Sequence, residues 1–185
     1  MKLRREDAYE LLTTFTKSES LLKHAFAVET LMRAYARKFG GDEERWGIVG
    51  LLHDFDYEHY PTIPDHPLKG AEILAERGYP DDVIYAIKTH ADFLNLPRST
   101  PMEKTLFAVD ELAGLLTAAA LVQPEKRIQT VQVASVKKKL KDKAFARSVN
   151  RDDIRKGAEE LGVALDEHIA FCLEVMRQAA DALGL

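Results

Sequence analysis

Cysteine is almost missing from this chain: Cys172 is the only one in 185 residues, so no internal disulfide can form and nothing marks an oxidising compartment. Glycine and proline are few, ten and seven respectively, which excludes collagen-like and low-complexity chains. No hydrophobic run is long. The longest nearly apolar stretch, residues 112–122, has 11 residues, against the roughly 20 needed to cross a bilayer. The N-terminus, Met1-Lys2-Leu3-Arg4-Arg5-Glu6-Asp7, turns acidic at once and offers no apolar targeting segment. Together these absences predict a soluble, cytoplasmic protein with no membrane partner. A hydrophobic content of 46% with 30% charged residues is that of an ordinary globular chain, and its length suits one domain over residues 1–185.

Charge of one sign is not in excess overall, but it is unevenly placed. The net charge is −4 and the pI about 5.9, yet residues 126–156 hold eleven Lys or Arg against three Asp. Such a stretch is either the solvated surface of a helix or an attractor of anions. The acidic pI, with no zinc knuckle and no aromatic-basic interleaving, argues against a nucleic-acid partner.

Strand alternation is absent and helical periodicity is everywhere. Leu21, Ala25, Val28, Leu31, Met32 and Tyr35 form one apolar stripe at helical spacing. Thr100-Pro101-Met102-Glu103 is a capping box with proline at the first helical position. Gly40-Gly41, Gly78 with Pro80, Asn95 to Pro97, and Gly162 supply the stops. The pattern predicts an all-α fold with helices near 5–15, 19–39, 42–54, 67–77, 81–93, 102–121, 128–141, 151–161 and 166–183. Val131, Val133 and Val136 make the seventh of these equally compatible with a strand.

The chemistry-bearing residues stand where apolar ones are expected. His24 falls on the stripe of Leu21, Ala27, Val28 and Leu31; His53 continues Trp46, Val49 and Gly50; His90 continues Val83, Ala86 and Ile87. Asp110 shares a helix face with Leu106, Phe107, Ala113 and Gly114. A buried carboxylate must be paired, hydrogen-bonded or bound to a metal. Each inward residue alone is an ordinary hydrogen-bonded core group; several imidazoles and two carboxylates, Asp54 and Asp110, converging from separate helices are more simply explained by a shared metal ion. His53 and Asp54 differ by about 100° of helix rotation, so both reach one ion only near the helix end. His66 precedes Pro67, and Gly70, four positions on, leaves room for close approach over that helix's first turn. His59 and His168 read as surface residues. Cys172, among Ile169, Phe171 and Val175, reads as packing, with no basic neighbour to activate it.

The order His24, His53-Asp54, Asp110 resembles the H…HD…D signature of the HD-domain superfamily of metal-dependent phosphohydrolases. The stretches Leu51-Leu52-His53-Asp54-Phe55-Asp56, His66-Pro67-Leu68-Lys69-Gly70-Ala71-Glu72 and Ala86-Ile87-Lys88-Thr89-His90 resemble its HDIG-type branch. The likeness spans about residues 21–121, with helices 125–185 expected to pack on that core. It implies an orthogonal helical bundle, with His24, His53, Asp54 and Asp110 holding one divalent ion and His66 and His90 a second, bridged by Asp54. Two departures stand out. Phe55-Asp56 replaces the branch's Ile-Gly, and Ala91 follows His90 where many members carry another histidine.

A mixed imidazole and carboxylate set suits Mn, Fe, Co or Mg better than a closed tetrahedral zinc site. Such an ion lowers the pKa of bound water from 15.7 towards about 7, giving a hydroxide at neutral pH, and neutralises phosphoryl charge. The implied activity is hydrolysis of a phosphate monoester or diester, in a nucleotide or other small phosphorylated metabolite. Asp54 would orient the nucleophile; Asp56 and Glu58 are acid or base candidates, or else exposed loop carboxylates. By charge alone Lys69, Lys137, Lys138 and Lys139 are candidate phosphate contacts. HD-fold oxygenases with a mixed-valent di-iron pair, and non-catalytic nucleotide-binding modules, are the competing classes.

Overall fold

The computed structural model describes residues 3–185 and is helical throughout, with no strand among the described residues. The chain divides into two compact units, Met1–Leu106 and Phe107–Leu185. In the first, α1 spans Arg5–Phe15, α2 Glu19–Phe39, α3 Glu43–Leu52, α4 Asp65–Glu76 and α5 Asp81–Thr89. Helix α6, Pro101–Leu121, begins in the first unit and ends in the second, which continues with α7 (Val133–Lys141), α8 (Arg151–Leu161), α9 (Leu165–Gln178) and α10 (Ala180–Leu183).

The first unit is organised around α3. Asp42 starts it by accepting a hydrogen bond from the Arg45 amide at 3.0 Å, and every residue from Trp46 to Leu52 is buried. A helix apolar on all sides needs partners on all sides, and α1, α2 and α5 all pack against it. Its neighbour α2 turns the stripe of Val28, Leu31, Met32 and Tyr35 inward and ends at Gly40, whose φ of 69° is left-handed. The two helices approach closely because Gly50 has no side chain: a Cβ there would lie 3.0 Å from the backbone of Glu29 and 2.9 Å from Met32 Cγ. Gly50→Ala should therefore overpack this interface and cost about 1–3 kcal/mol of stability. Urea unfolding reads this directly, and an unchanged midpoint would show that α2 separates from α3 freely.

Three helix boundaries depart from the sequence pattern, two of them for reasons the structure supplies. The helix expected over 81–93 stops at His90, because Arg98 donates at 2.8 Å to the Thr89 carbonyl; a longer helix would give that carbonyl to residue 93. The helix expected over 128–141 begins only at Val133. Ile128–Thr130 is a short 3-10 turn, and Val131 is extended, its carbonyl taken by Arg177 at 2.6 Å. The last helix is interrupted at Ala179, between α9 and α10; no glycine or proline marks the break. The capping box of α6 forms as expected: Glu103 accepts from the Ser99 and Thr100 amides at 2.6 and 3.0 Å.

In the second unit α8 is capped by Asn150, which accepts from the Asp152 and Asp153 amides, and is ended by Gly162 at φ 74°. Helix α9 packs with α7, α8 and α10. His168 on α9 is 1% exposed, donating through Nε2 to the Ala108 carbonyl at 2.8 Å. Its expected surface position is thereby corrected. Its Nδ1 lies 3.8 Å from Cys172 Sγ, so the cysteine does have an imidazole neighbour, one turn away on the same helix. Both groups are buried.

Candidate metal centre

His53 and Asp54 follow the last turn of α3, His24 stands in the second turn of α2, His66 begins α4, and His90 caps α5. The five side chains meet. Asp54 lies between two pairs of imidazoles: its Oδ2 is 3.4 Å from His53 Nε2 and 3.9 Å from His24 Nε2. Its Oδ1 is 3.1 Å from His66 Nε2 and 3.3 Å from His90 Nε2. Within each pair the two Nε2 atoms are 3.2 Å apart.

Ring orientation is set from behind. His53 donates from Nδ1 to the Gly50 carbonyl at 2.7 Å, His90 to the Ile87 carbonyl, and His66 to Asp56 Oδ1 at 2.8 Å. A neutral imidazole that donates from Nδ1 presents a bare lone pair at Nε2. Lone pairs about 3 Å apart repel unless a cation lies between them. Ligands of one ion at about 2.1 Å stand roughly 3.0–3.4 Å from each other at octahedral or tetrahedral angles, which is the separation seen here. The donor set therefore fits a divalent ion on each side of Asp54, and among the described residues Asp54, His66 and His90 form one of the clusters able to hold a metal.

Electrostatics follow the same geometry. Burial works against the charge of Asp54, but the charge of His53 and the hydrogen bonds of His53, His66 and His90 outweigh it and hold the carboxyl well below its ordinary range. Burial likewise opposes protonation of His66, yet its hydrogen bonds with Asp54 and Asp56 raise its pKa to about 9. In metal-free protein the raised value makes protonated His66 stabilising below its unfolded pKa of about 6.5, a contribution of order 3 kcal/mol lost as pH rises through 9. The depressed Asp54 contributes above the ordinary carboxylate range and stays constant over that window. Chelated protein should thus lose melting temperature between pH 6.5 and 9.5, while saturating Mn²⁺ reverses the trend because metal needs the unprotonated ring. A flat profile for the chelated protein would refute this coupling.

The other expected residues are placed as follows. Asp110 stands on α6 in the second unit, half-buried. Asp56, the candidate loop carboxylate, is instead 1% exposed, accepting from His66 and, through Oδ2 at 2.8 Å, from the Gly70 amide. Glu58 is exposed and caps α2, accepting from the Lys17 and Ser18 amides. Lys69 pairs with Glu72 at 2.8 Å on the surface of α4. Lys137 and Lys138 are exposed on α7, Lys137 pairing with Asp166 of α9 at 2.7 Å, and Lys139 lies over the Phe145 ring. Phe55, where the family pattern has isoleucine, is buried edge-on against Phe15. Asp56 as the support of His66 is the functional contact that sequence reasoning missed; the signal was Gly70, where a Cβ would lie 2.8 Å from Asp56 Oδ2.

An all-helical scaffold that brings four imidazoles to one carboxylate defines a metal-binding domain. A family model described as HD domain matches residues 21–121, and the chain belongs to that family; the HD domain is a metal-dependent hydrolase domain. Ribonuclease Y of Desulfotalea psychrophila is 26% identical over 168 residues, 84% of this chain and 31% of that protein. Ribonuclease Y of Oleidesulfovibrio alaskensis is 31% identical over 99 residues, 52% of this chain and 18% of that protein. Ribonuclease Y of Lawsonia intracellularis is 24% identical over 178 residues, covering 92% and 33%. The chain spans at most about a third of the length of these curated relatives. No solved structure matches it. Among the described residues no helix is long and apolar enough to cross a membrane.

Proposed function

We propose that the chain hydrolyses a phosphate ester with two divalent ions sharing Asp54. The observation that carries this reading is the division of one carboxylate, Oδ2 toward His24 and His53 and Oδ1 toward His66 and His90. His24, His53 and Asp54 hold the first ion, joined by Asp110 on the strength of the family's motif order; His66 and His90 hold the second with Asp54. When bound, the ions supply a nucleophile at neutral pH and neutralise phosphoryl charge. The mixed imidazole and carboxylate donor set favours Mn, Fe, Co or Mg over a closed tetrahedral zinc site.

The protein's own part is orientation. Asp54 fixes the spacing of the two ligand sets, and the Nδ1 bonds of His53, His66 and His90 prevent the rings from turning. Lys69, three residues beyond His66, contacts the substrate phosphate; its exposed pairing with Glu72 contributes little and exchanges readily. Lys137 and Lys138 are second choices, since Lys137 is already paired with Asp166.

The substrate is a nucleotide or a comparably small phosphorylated metabolite. The acidic pI argued against nucleic acid, but the ribonuclease name of the relatives makes an oligoribonucleotide the second reading. A panel of nucleoside mono- and cyclic phosphates, a phosphodiester dye ester and a short RNA, assayed with Mn²⁺ and after chelation, decides between them. Turnover of mononucleotides but not RNA supports the first reading, and the converse the second. Metal-loaded protein inert on the whole panel would overturn hydrolysis.

A further inference from the structure

His66 differs from His53 and His90 in how its ring is held. His53 and His90 each sit at a helix C-terminus and donate from Nδ1 to the carbonyl three residues earlier, Gly50 and Ile87, a bond that helical backbone supplies without any special residue. His66 cannot do this. It precedes Pro67, which disfavours helical backbone at the preceding position, and its φ and ψ of −82° and 131° are extended. Its Nδ1 must therefore find a side-chain acceptor.

We propose that Asp56 is the positioning residue that makes His66 a metal ligand, and that it sets the affinity of the second metal position. This rests on the dinuclear reading above. Asp56 is 1% exposed, and its two oxygens are committed at 2.8 Å each, Oδ1 to His66 Nδ1 and Oδ2 to the amide of Gly70. The Gly70 amide lies one turn beyond the kink at His66, at the start of the regular part of α4. One carboxylate thus ties the turn after α3 to the start of α4 and fixes the His66 ring in the same step. Tyr57 holds the ring from another side, its centroid 5.3 Å away and nearly perpendicular. Gly70 is part of the device, because a Cβ there would lie 2.7 Å from Asp56 Cγ.

The chemistry requires a carboxylate, not merely a polar group of that shape. Asp56 must accept two hydrogen bonds, one from each side. An asparagine has one acceptor and one donor end, and the Gly70 amide can only donate, so its oxygen turns to Gly70 and its NH₂ to His66. The imidazole then accepts at Nδ1, carries its proton on Nε2, and loses the lone pair that faces Asp54.

The test is calorimetric titration of the chelated full chain with Mn²⁺, in wild type and in Asp56→Asn. Two binding events are expected in wild type; in the variant the second weakens by about 10- to 100-fold while the first is unchanged. Gly70→Ala, which displaces Asp56 without altering its charge, should give the same selective loss. In a His66→Ala background Asp56→Asn should cause no further loss of metal affinity, as required of a residue acting through His66. Two ions bound at wild-type affinity by Asp56→Asn would overturn the inference alone. A single binding event in wild type would overturn the dinuclear reading and this inference with it.

Discussion

Asp54→Ala is expected to lower phosphate-ester hydrolysis by at least roughly a thousandfold, about 4 kcal/mol of barrier, and to leave the purified protein with no stoichiometric metal. Both consequences come from one atom pair. Each carboxylate oxygen faces its own histidine pair, so on the proposed dinuclear reading removing the group would take a ligand from both ions at once and leave the imidazoles without the negative charge that would offset the metals. The fold should survive, since the Asp54 side chain is 22% exposed and lies beyond the end of α3 rather than within its packed face. Helical circular dichroism within error of wild type, with metal content by mass spectrometry near zero, is the expected combination. Retained turnover with unchanged metal content would remove Asp54 from the centre. Asp54→Asn sharpens the result, because it keeps the shape and loses the charge.

Much of this centre is legible in the sequence because imidazoles on apolar helix faces break a pattern that physics makes regular. His24, His53 and His90 each stand where helical spacing calls for a buried residue, and helices α2, α3 and α5 turn them toward one another. The HD family's motif order then groups them with His66 and Asp110. What stayed hidden lies where periodicity carries no information. Asp56 sits in the turn after α3, where a carboxylate is ordinarily solvated, and only the tertiary approach of Gly70 buries it. His168 was obscured by its acidic neighbour Glu167, although Ile169, Cys172 and Met176 share its buried face on α9. The false extension of α7 back to residue 128 has the same origin. Its valines satisfy either period, and the Arg177 bond to the Val131 carbonyl that holds the extended segment comes from 46 residues away.

His66→Ala and His90→Ala are each expected to leave one ion per chain, and the two should differ in stability. Both remove an Nε2 that faces Asp54 Oδ1, so both should empty the second metal position and cut hydrolysis by at least about a hundredfold, roughly 2.7 kcal/mol. His24→Ala, acting on the other oxygen, should empty the first position instead. Either truncation takes a partner from Asp54, so the difference lies behind the rings. His90 donates from Nδ1 to a backbone carbonyl, and on that side truncating it leaves just a carbonyl short of one partner. His66 donates to Asp56, which is 1% exposed and whose carboxylate, among the described residues, otherwise accepts from the Gly70 amide alone. Removing a partner from a buried charge costs about 3–5 kcal/mol, so metal-free His66→Ala should unfold at a distinctly lower urea concentration than metal-free His90→Ala. Below pH 6.5 the gap should be widest, where the His66 ring of the parent protein is charged. Equal midpoints for the two variants at that pH would show that Asp56 is not held through His66, whatever their metal content.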